Sequence, residues 1–417
     1  MQPQNRLRPV AVLNVALAIV ASQASGQTPA YNDVPFANVQ VDSGASTTLR
    51  MDVWRSTSAE RAPLVMWVHG GGWQSGSYNN PPPGLAALLS AGFAVASVEY
   101  RLSGVAIFPA QIHDVKGAAR FLRAHADAYG LDPSRLAAWG SSAGGHLTAL
   151  LATSGGVAEL EGTTGGNLAY SSTLQAAVDY YGPTNLLTMT GDAAPPGTGT
   201  NHDGPGSAES HLIGFDAPGQ GIGVLRDNLA NPSPPFPEKA ALVMLTNPLN
   251  FVDADDPPTF IAHGTVDTNV PIKQSERLAD ALAGVGVDYV MRPVVGAGHG
   301  FGTQTATVNA EAIAFLAENL MQPVGDYDRD GQVDGADFLM WQRQLGEPVV
   351  IAGAGADGDI DGTVGTGDLA VWQGNYDVGA NKPSGSVSKV PEPTSRLLLG
   401  LIAGGLGWRI RLAPRTG

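Results

Sequence analysis

A serine between glycines follows an apolar run near the middle of the chain. Residues 136–146 read LAAWGSSAGGH, which places Ser142 in a G-x-S-x-G pattern between a strand-like segment and a helical one. This pattern is typical of a sharp strand-to-helix turn that exposes a serine hydroxyl. Ser142 would then lie at a helix N-terminus, where backbone N–H groups favour developing negative charge. We therefore expect Ser142 to act as a nucleophile.

A second glycine-rich segment, HGGGW at residues 69–73, comes directly after the apolar run Leu64–Val68. Glycines at such a point let backbone N–H groups approach a negatively charged oxygen. We expect Gly71, Gly72 and Ala143 to supply the N–H groups of an oxyanion hole. A plain glycine-rich turn is the alternative, but it would not account for both motifs in this order.

A serine hydroxyl is a weak nucleophile by itself, so a base and an orienting carboxylate must accompany it. Asp267 follows the strand candidate Thr259–Ala262, which puts its carboxylate on the same sheet edge as Ser142. Three other aspartates precede that strand, at the wrong edge: Asp253, Asp255 and Asp256. We predict Asp267 as the acid.

The base is predicted to be His299, in a glycine-flanked loop after the strand candidate Asp288–Val295. Of eight histidines in the chain, it alone combines a strand-end position with the chain order serine, acid, histidine. We expect His69 to make a structural hydrogen bond to its own loop. The others that we considered lie on predicted helices or in an irregular segment: His113, His125, His146, His202 and His211.

Short apolar runs alternate with amphipathic stretches between residues 38 and 322, which predicts a mostly parallel sheet covered by helices on both faces. Further strand candidates are Phe93–Val98, Leu136–Trp139 and Ala176–Tyr180, and helix candidates are Ile112–Tyr129 and Ile272–Ala283. The alternation breaks between residues 188 and 250, a Pro- and Gly-rich insertion. We interpret this insertion as loops with at most a short helix or two that cover the substrate, a passive surface loop being the alternative.

These motifs resemble the esterases of the α/β-hydrolase superfamily that share the HGGGW loop, the hormone-sensitive-lipase-like and feruloyl- or acetyl-esterase-like (BD-FAE-like) group. Five further segments match the family's landmarks, at residues 99–102, 108–116, 131–135, 181–184 and 256–259. The resemblance covers residues 38–322 and implies an α/β-hydrolase fold. It also implies hydrolysis of carboxylic esters through an acyl-enzyme without a cofactor, with small esters or esterified polysaccharides as substrates.

Two other functions stay open at this stage. The same triad serves amidases and formamidases, and an inactive hydrolase domain would leave a surface-binding protein that acts through its C-terminal module. A complete triad disfavours the inactive protein. The net charge of −15 excludes a nucleic-acid partner, because phosphate binding needs clustered Lys and Arg. There is no cysteine, so disulfides do not stabilise the chain.

The C-terminal part of the chain carries two acidic loops with calcium-binding spacing. In the first, oxygen donors occupy loop positions 1, 3, 5, 9 and 12, with glycine at position 6; the second repeats the pattern with Gly365 at position 9, where a water would serve. The predicted ligands are Asp326, Asp328, Asp330, Gln332, Asp334 and Asp337 in the first loop, and Asp357, Asp359, Asp361, Thr363 and Asp368 in the second.

Two such loops with aspartate at position 12 resemble a type I dockerin module, here at residues 325–376. The resemblance implies a small helical EF-hand-like unit with structural Ca²⁺ and a cohesin-like partner. Solvated acidic turns are one alternative, and a purely structural calcium module is another. The calcium ions would neutralise clustered carboxylates in a unit with little core of its own.

Both ends of the chain predict export. Residues 1–26 combine arginines, a short apolar run and small residues, as a secretory signal peptide does. After a linker at residues 377–390, residues 391–417 carry Pro-Glu-Pro, an apolar run and arginines, which resembles the PEP-CTERM sorting signal of exported bacterial proteins. We expect an extracellular or envelope-associated protein, with transient membrane association through this segment.

Overall fold

The structure is a computed structural model that describes residues 27–56, 61–193, 195, 198–321, 323, 325–328, 332–349, 355–359 and 362–376. The predicted signal peptide at residues 1–26, the linker and the PEP-CTERM-like segment lie outside the described residues, as do Asp330 and Asp361. Within the described ranges, no helix is both long enough and apolar enough to cross a membrane.

An eight-stranded, mostly parallel sheet forms the centre of the molecule. Its spatial order is β1-β2-β4-β3-β5-β6-β7-β8, with β1 and β2 antiparallel to their neighbours and the other strands parallel. The strands are β1 (Tyr31–Gln40), β2 (Ser46–Trp54), β3 (Ala62–Val68), β4 (Ala94–Val98), β5 (Leu131–Ser141), β6 (Ala176–Tyr180), β7 (Thr259–Gly264) and β8 (Tyr289–Val294). This is the α/β-hydrolase fold that the sequence predicts.

Both faces of the sheet are buried, which is why its central strands are mainly apolar. All seven residues of β3 are buried, and alternate ones enter different cores. Leu64 and Met66 pack into the larger cluster, with helices of one face, while Val65 and Trp67 pack into the cluster on the other. A strand of a parallel sheet that is covered on both sides is a continuous apolar run, so its short length, rather than any periodicity, distinguishes it from a helix.

Helices cover both faces and connect the parallel strands. Those of the sheet domain are α1 (Leu85–Ser90), α2 (Ala110–Ala124), α3 (Ala126–Tyr129), α4 (Ala143–Thr153), α5 (Ala158–Glu161), α6 (Ala208–Leu212), α7 (Ile222–Arg226), α8 (Phe236–Leu245), α9 (Lys273–Val285) and α10 (Thr305–Leu320). Short 3-10 helices lie at Pro248–Asn250 and Gly302–Gln304. Two more, α11 (Gly335–Gln344) and α12 (Thr366–Asn375), follow the acidic loops.

The expectation of at most two short helices in the insertion was wrong. The described part of residues 188–250 contains α6, α7 and the ten-residue α8. Prolines misled the interpretation: Pro237 lies in the first turn of α8, where a missing N–H costs no hydrogen bond. The predicted helix Ile112–Tyr129 is also two helices, divided at His125.

Candidate active site

The turn that holds Ser142 is a nucleophile elbow. Ser142 separates the end of β5 from the start of α4 and has φ 54° and ψ −121°, a backbone conformation rare for any residue but glycine. Its N–H donates to the carbonyl oxygen of Tyr180 at 2.8 Å, which fixes the turn to the neighbouring strand. A Cβ on Gly144 would lie 2.0 Å from the carbonyl oxygen of Val68, so only glycine permits this close packing.

Ser142, His299 and Asp267 form one hydrogen-bonded chain. Ser142 Oγ lies 3.0 Å from His299 Nε2, and His299 Nδ1 lies 2.8 Å from Asp267 Oδ2. The imidazole is partly exposed, while the Asp267 carboxylate is buried. With Nδ1–H donating to Asp267, Nε2 presents a lone pair to the Ser142 hydroxyl. The structure thus brings together the three side chains that chain order selected, in an arrangement suited to removing a proton from the serine.

Four donors surround the Asp267 carboxylate. Its Oδ1 accepts from the N–H groups of Asn269 and Val270 at 2.8 and 3.0 Å, and its Oδ2 meets His263 Nε2 at 3.3 Å as well as His299. Burial by itself would raise the pKa of Asp267, but the hydrogen bonds from His263, His299 and the backbone outweigh it. The pKa is therefore held well below its ordinary value, and the carboxylate stays ionised.

His263 was not among the histidines weighed from sequence, although it lies on β7 in the motif that carries the acid. It is fully buried, with Nδ1 2.7 Å from Ser275 Oγ and Nε2 2.8 Å from the carbonyl oxygen of Val270. These contacts fix its ring beside Asp267. Its position directly before Gly264 at the end of the acid strand is the signal that would have found it.

The HGGGW loop lies directly over the elbow. A Cβ on Gly70 would approach Ser142 Cβ to 3.3 Å, and Gly72 and Ala143 line the same cavity as Ser142. Gly71 has φ 114° and turns the loop by accepting from the N–H of Ser75 at 3.1 Å. The N–H of Ala143 belongs to the first turn of α4, where such groups have no partner inside the helix. The loop can therefore direct N–H groups toward an oxyanion beside the serine.

His69 anchors this loop through its own side chain. Its Nδ1 donates to the carbonyl oxygen of Gly70 at 2.8 Å, and its ring stacks on Tyr100 with centroids 4.4 Å apart. Burial lowers the pKa of His69, so the ring stays neutral. A Cβ on Gly76 would lie 2.2 Å from His69 Nδ1, which explains the glycine at that turn.

The insertion forms half of the cavity next to Ser142. The cavity has a volume of about 250 Å³. Its walls come from the HGGGW loop, the elbow, the acid loop and the insertion: Gly72, Trp73, Ser142, Ala143, Pro183, Thr200, Asn201, His202, Gly206, Ser207, Ala208, Glu209, Asn269 and Val270. This agrees with the interpretation of residues 188–250 as a cover over the site.

Tyr181 also contacts the site and was missed from sequence. It has φ 44°, and its ring makes an edge contact with His299 at 4.6 Å between centroids. The YGPT segment was noted only as a family landmark. Its place directly after β6, whose neighbour β5 ends at the elbow, is the positional signal.

The acidic loops each gather three carboxylates. One oxygen from each of three aspartates lies within 4.8 Å of the others, Asp326, Asp328 and Asp337 in the first loop and Asp357, Asp359 and Asp368 in the second. Asp334 is outside the first group, because its Oδ1 accepts from the N–H of Ala336 and caps α11. Clustered carboxylate oxygens are the donors that Ca²⁺ prefers, so the described residues fit that ion.

The two loops have matching internal hydrogen bonds. Asp337 accepts from the N–H groups of Asp328 and Asp334 at 3.0 and 2.7 Å, and Asp368 accepts from those of Asp359 and Gly365 at 2.9 and 2.5 Å. The two loops are also joined by reciprocal hydrogen bonds. Trp341 Nε1 donates to the carbonyl oxygen of Gly365, and Trp372 Nε1 donates to the carbonyl oxygen of Asp334.

Comparison with known proteins agrees with this architecture. The esterase LipQ of Mycobacterium tuberculosis is 28% identical over 271 residues, which are 63% of this chain and 56% of LipQ. The probable carboxylic ester hydrolase LipM of the same organism is 28% identical, over 56% of this chain and 48% of LipM. The chain thus spans about half the length of the curated relatives it matches.

Solved structures resemble the sheet domain. A truncated carbohydrate esterase from gut microbiota is 28% identical with a TM-score of 0.56, covering 71% of this chain and all of that one. A bifunctional GH43-CE protein of Bacteroides eggerthii is 30% identical with the same TM-score, covering 70% of this chain and 35% of that one. The BD-FAE family profile matches residues 51–282, which include both glycine motifs and the acid loop. By this match over more than half of its length, the chain belongs to the BD-FAE family.

Proposed function

We propose that this protein is a serine hydrolase that cleaves carboxylic esters through an acyl-enzyme. The hydrogen-bonded chain from Ser142 through His299 to Asp267, beside the HGGGW loop, is the observation that carries the proposal. The names of the relatives, an esterase and a carboxylic ester hydrolase, support it.

In this mechanism Ser142 Oγ attacks the ester carbonyl carbon while His299 Nε2 takes the hydroxyl proton. The N–H groups of Gly71, Gly72 and Ala143 stabilise the negative oxygen, each such donor being worth roughly 3 kcal/mol. Asp267 stabilises the imidazolium that forms. His299 then gives the proton to the leaving alcohol, a water repeats the attack on the acyl-serine, and the carboxylic acid leaves.

We further propose acetyl or feruloyl esters of polysaccharides as the substrate class. The similar gut carbohydrate esterase and the dockerin-like module support this class. Sequence motifs at both ends support an exported protein, and the two carboxylate groups support structural Ca²⁺ in the C-terminal module. A cohesin-like partner follows only from the resemblance of that module.

Ester hydrolysis is tested with Ser142→Ala against the neighbouring change Ser141→Ala. On p-nitrophenyl acetate, we expect Ser142→Ala to lose at least about 1,000-fold in kcat, because the nucleophile is gone. Ser141→Ala should retain activity within a few fold. Equal activity of Ser142→Ala and the wild type would refute the proposed nucleophile. A wild type that cleaves formanilide but no ester would support an amidase instead.

A further inference from the structure

One residue that lines the cavity has a buried carboxylate oxygen that lacks a hydrogen-bond donor among the described residues. Glu209, on α6, is only 3% exposed, and its Oε1 accepts from His202 Nδ1 at 2.8 Å. Its Oε2 is buried and has no hydrogen-bond partner among the described residues. Leaving a buried charged acceptor unpaired costs more than about 1–3 kcal/mol, so such an atom in a native site calls for a partner.

His202 fixes both the position and the charge of Glu209. Besides Glu209, its Nε2 meets the carbonyl oxygen of Asn269 at 2.8 Å. Both ring nitrogens therefore face acceptors, an arrangement that only the imidazolium satisfies. Burial would lower the pKa of His202, but the hydrogen bond and charge of Glu209 raise it above its ordinary value. The two acceptors thus favour an imidazolium beside the carboxylate, a pair whose charges balance.

The missing partner is a neutral donor rather than a cation. His202 already balances the charge of Glu209, so an ammonium group would bring an unpaired charge into a buried wall. A hydroxyl instead offers one O–H to the free oxygen without adding charge. The cavity that Glu209 lines also contains Ser142 and the oxyanion glycine Gly72, so the ligand in question is the ester itself.

We propose that Glu209 Oε2 accepts a hydrogen bond from a hydroxyl group on the alcohol portion of the substrate. The protein would then select esters of polyols, such as partly acylated sugars, over esters of simple alcohols. This inference rests on the proposed function and specifies which wall of the site binds the alcohol portion of the ester. His202 acts as a positioning residue, because its two ring nitrogens are taken by Glu209 and by the carbonyl oxygen of Asn269.

The test compares esters that differ only in the hydroxyl. Monoacetates of ethylene glycol and glycerol are measured against the same compounds with their free hydroxyls methylated, and the readout is the ratio of the two kcat/KM values. We expect the wild type to favour the free hydroxyl by roughly 10- to 100-fold, the range of a charge-assisted hydrogen bond. In Glu209→Gln, which replaces Oε2 by a donor, the ratio should fall to near one.

The control is a second histidine–carboxylate pair of the insertion that lies outside the cavity. His211 and Asp216 are exposed and 2.6 Å apart, so Asp216→Asn should keep the wild-type ratio. The ratio is independent of the folded fraction, and Glu209→Asp, which shortens the carboxylate, gives a second variant that should also lose the preference.

Two results would overturn the inference. They are a wild-type ratio near one and an unchanged ratio in Glu209→Gln. Failure of the proposed function is distinguishable, because it would appear as no hydrolysis of p-nitrophenyl acetate by the wild type.

Discussion

The residues around the elbow include a buried acid that takes no part in the proposed chemistry. Asp179, on β6, is fully buried, and its Oδ1 accepts from the N–H of Gly182 at 2.8 Å. A Cβ on Gly145 would lie 2.3 Å from that oxygen, so the acid packs directly beneath α4. Burial raises the pKa of Asp179 to about 6, which makes its ionised form costly at neutral pH.

Asp179 should therefore make the fold less stable as the pH rises. A folded-state pKa above the unfolded value contributes stability below pH 4 that is lost as the pH rises through about 6. An asparagine at this position would carry no charge, so we expect the free energy of unfolding of Asp179→Asn, relative to the wild type, to increase by roughly 2–3 kcal/mol between pH 4 and pH 7. Urea unfolding at several pH values measures it.

The exposed Asp280, on α9, supplies the control for this prediction. Asp280→Asn should track the wild type across the same range, because its side chain lies in solvent in both the folded and the unfolded state. A stability difference between Asp179→Asn and the wild type that stays constant with pH would show that Asp179 titrates normally.

The site residues whose position follows from chain order were predictable from the sequence. Those whose role depends on contacts between distant elements of the fold were not. Ser142, Asp267 and His299 each follow a strand, and parallel strands end at one edge, so their meeting was predictable. His202 was set aside because it lies in an irregular segment. Its pairing with Glu209 depends on how the insertion folds back, which no local pattern encodes.

At the scale of elements, the insertion is attached to the loop that carries the acid. Thr200 N–H donates to the carbonyl oxygen of Thr268 at 2.8 Å, and Thr200 Oγ1 donates to Asn269 Oδ1 at 3.1 Å. The N–H of Asn269 in turn donates to Asp267. Hydrogen bonds thus connect the insertion that covers the cavity to the loop that orients Asp267.

This connection requires glycine at position 199. Gly199 has φ 80°, and a Cβ there would lie 2.4 Å from the carbonyl oxygen of Thr268. We expect Gly199→Ala to push the insertion off the acid loop and to lower kcat/KM for p-nitrophenyl acetate by roughly 10- to 100-fold, the effect of an ångström-scale displacement in a site.

Gly219 provides a matched control, since it lies in the same insertion at φ 84° with nothing within 4 Å of its Cβ position. Gly219→Ala carries the same backbone strain without the collision. Similar losses in both variants would mean that strain, rather than contact with the acid loop, determines the effect.

The central strands of the sheet were predicted better than its edge strand and the helices of the insertion. Central strands such as β3 and β6 are buried along their whole length and mainly apolar, and they were located within two residues. The edge strand β1 was not predicted, because several of its residues are exposed and Pro35 interrupts its pattern. The helices of the insertion were obscured by the prolines that begin α8.

At the scale of the whole molecule, the acidic module carries much of the clustered negative charge. Among the residues that the structure describes, its hydrophobic cluster has four buried members, Tyr327, Trp341, Ala356 and Val364. The two loops also exchange hydrogen bonds, including one from Tyr327 Oη to the carbonyl oxygen of Asp368 at 2.6 Å. Because this core is small and lies between repelling carboxylates, we expect the unit to depend on cations, and we expect the shared contacts to make its two halves depend on each other.

Removing calcium should therefore unfold this module and leave the sheet domain active. We expect Ca²⁺ to raise the melting temperature of a separate transition in differential scanning calorimetry, and EGTA to abolish that transition. Asp337→Asn should weaken binding at both loops, because helix α11 donates through Trp341 to the second loop. Hydrolysis of p-nitrophenyl acetate should be the same with and without EGTA.

Glu347→Gln, an exposed change between the loops, should leave the calcium titration unchanged. If the module instead keeps its transition in EGTA, the acidic loops are solvated turns that bind no calcium, and the hydrophobic core alone is enough to fold the module. If Asp337→Asn weakens only one of two binding steps, the loops act independently despite their reciprocal tryptophan hydrogen bonds. Coupled loss at both loops is the outcome that the shared contacts require, since a cation lost from one loop releases the helix that orders the other.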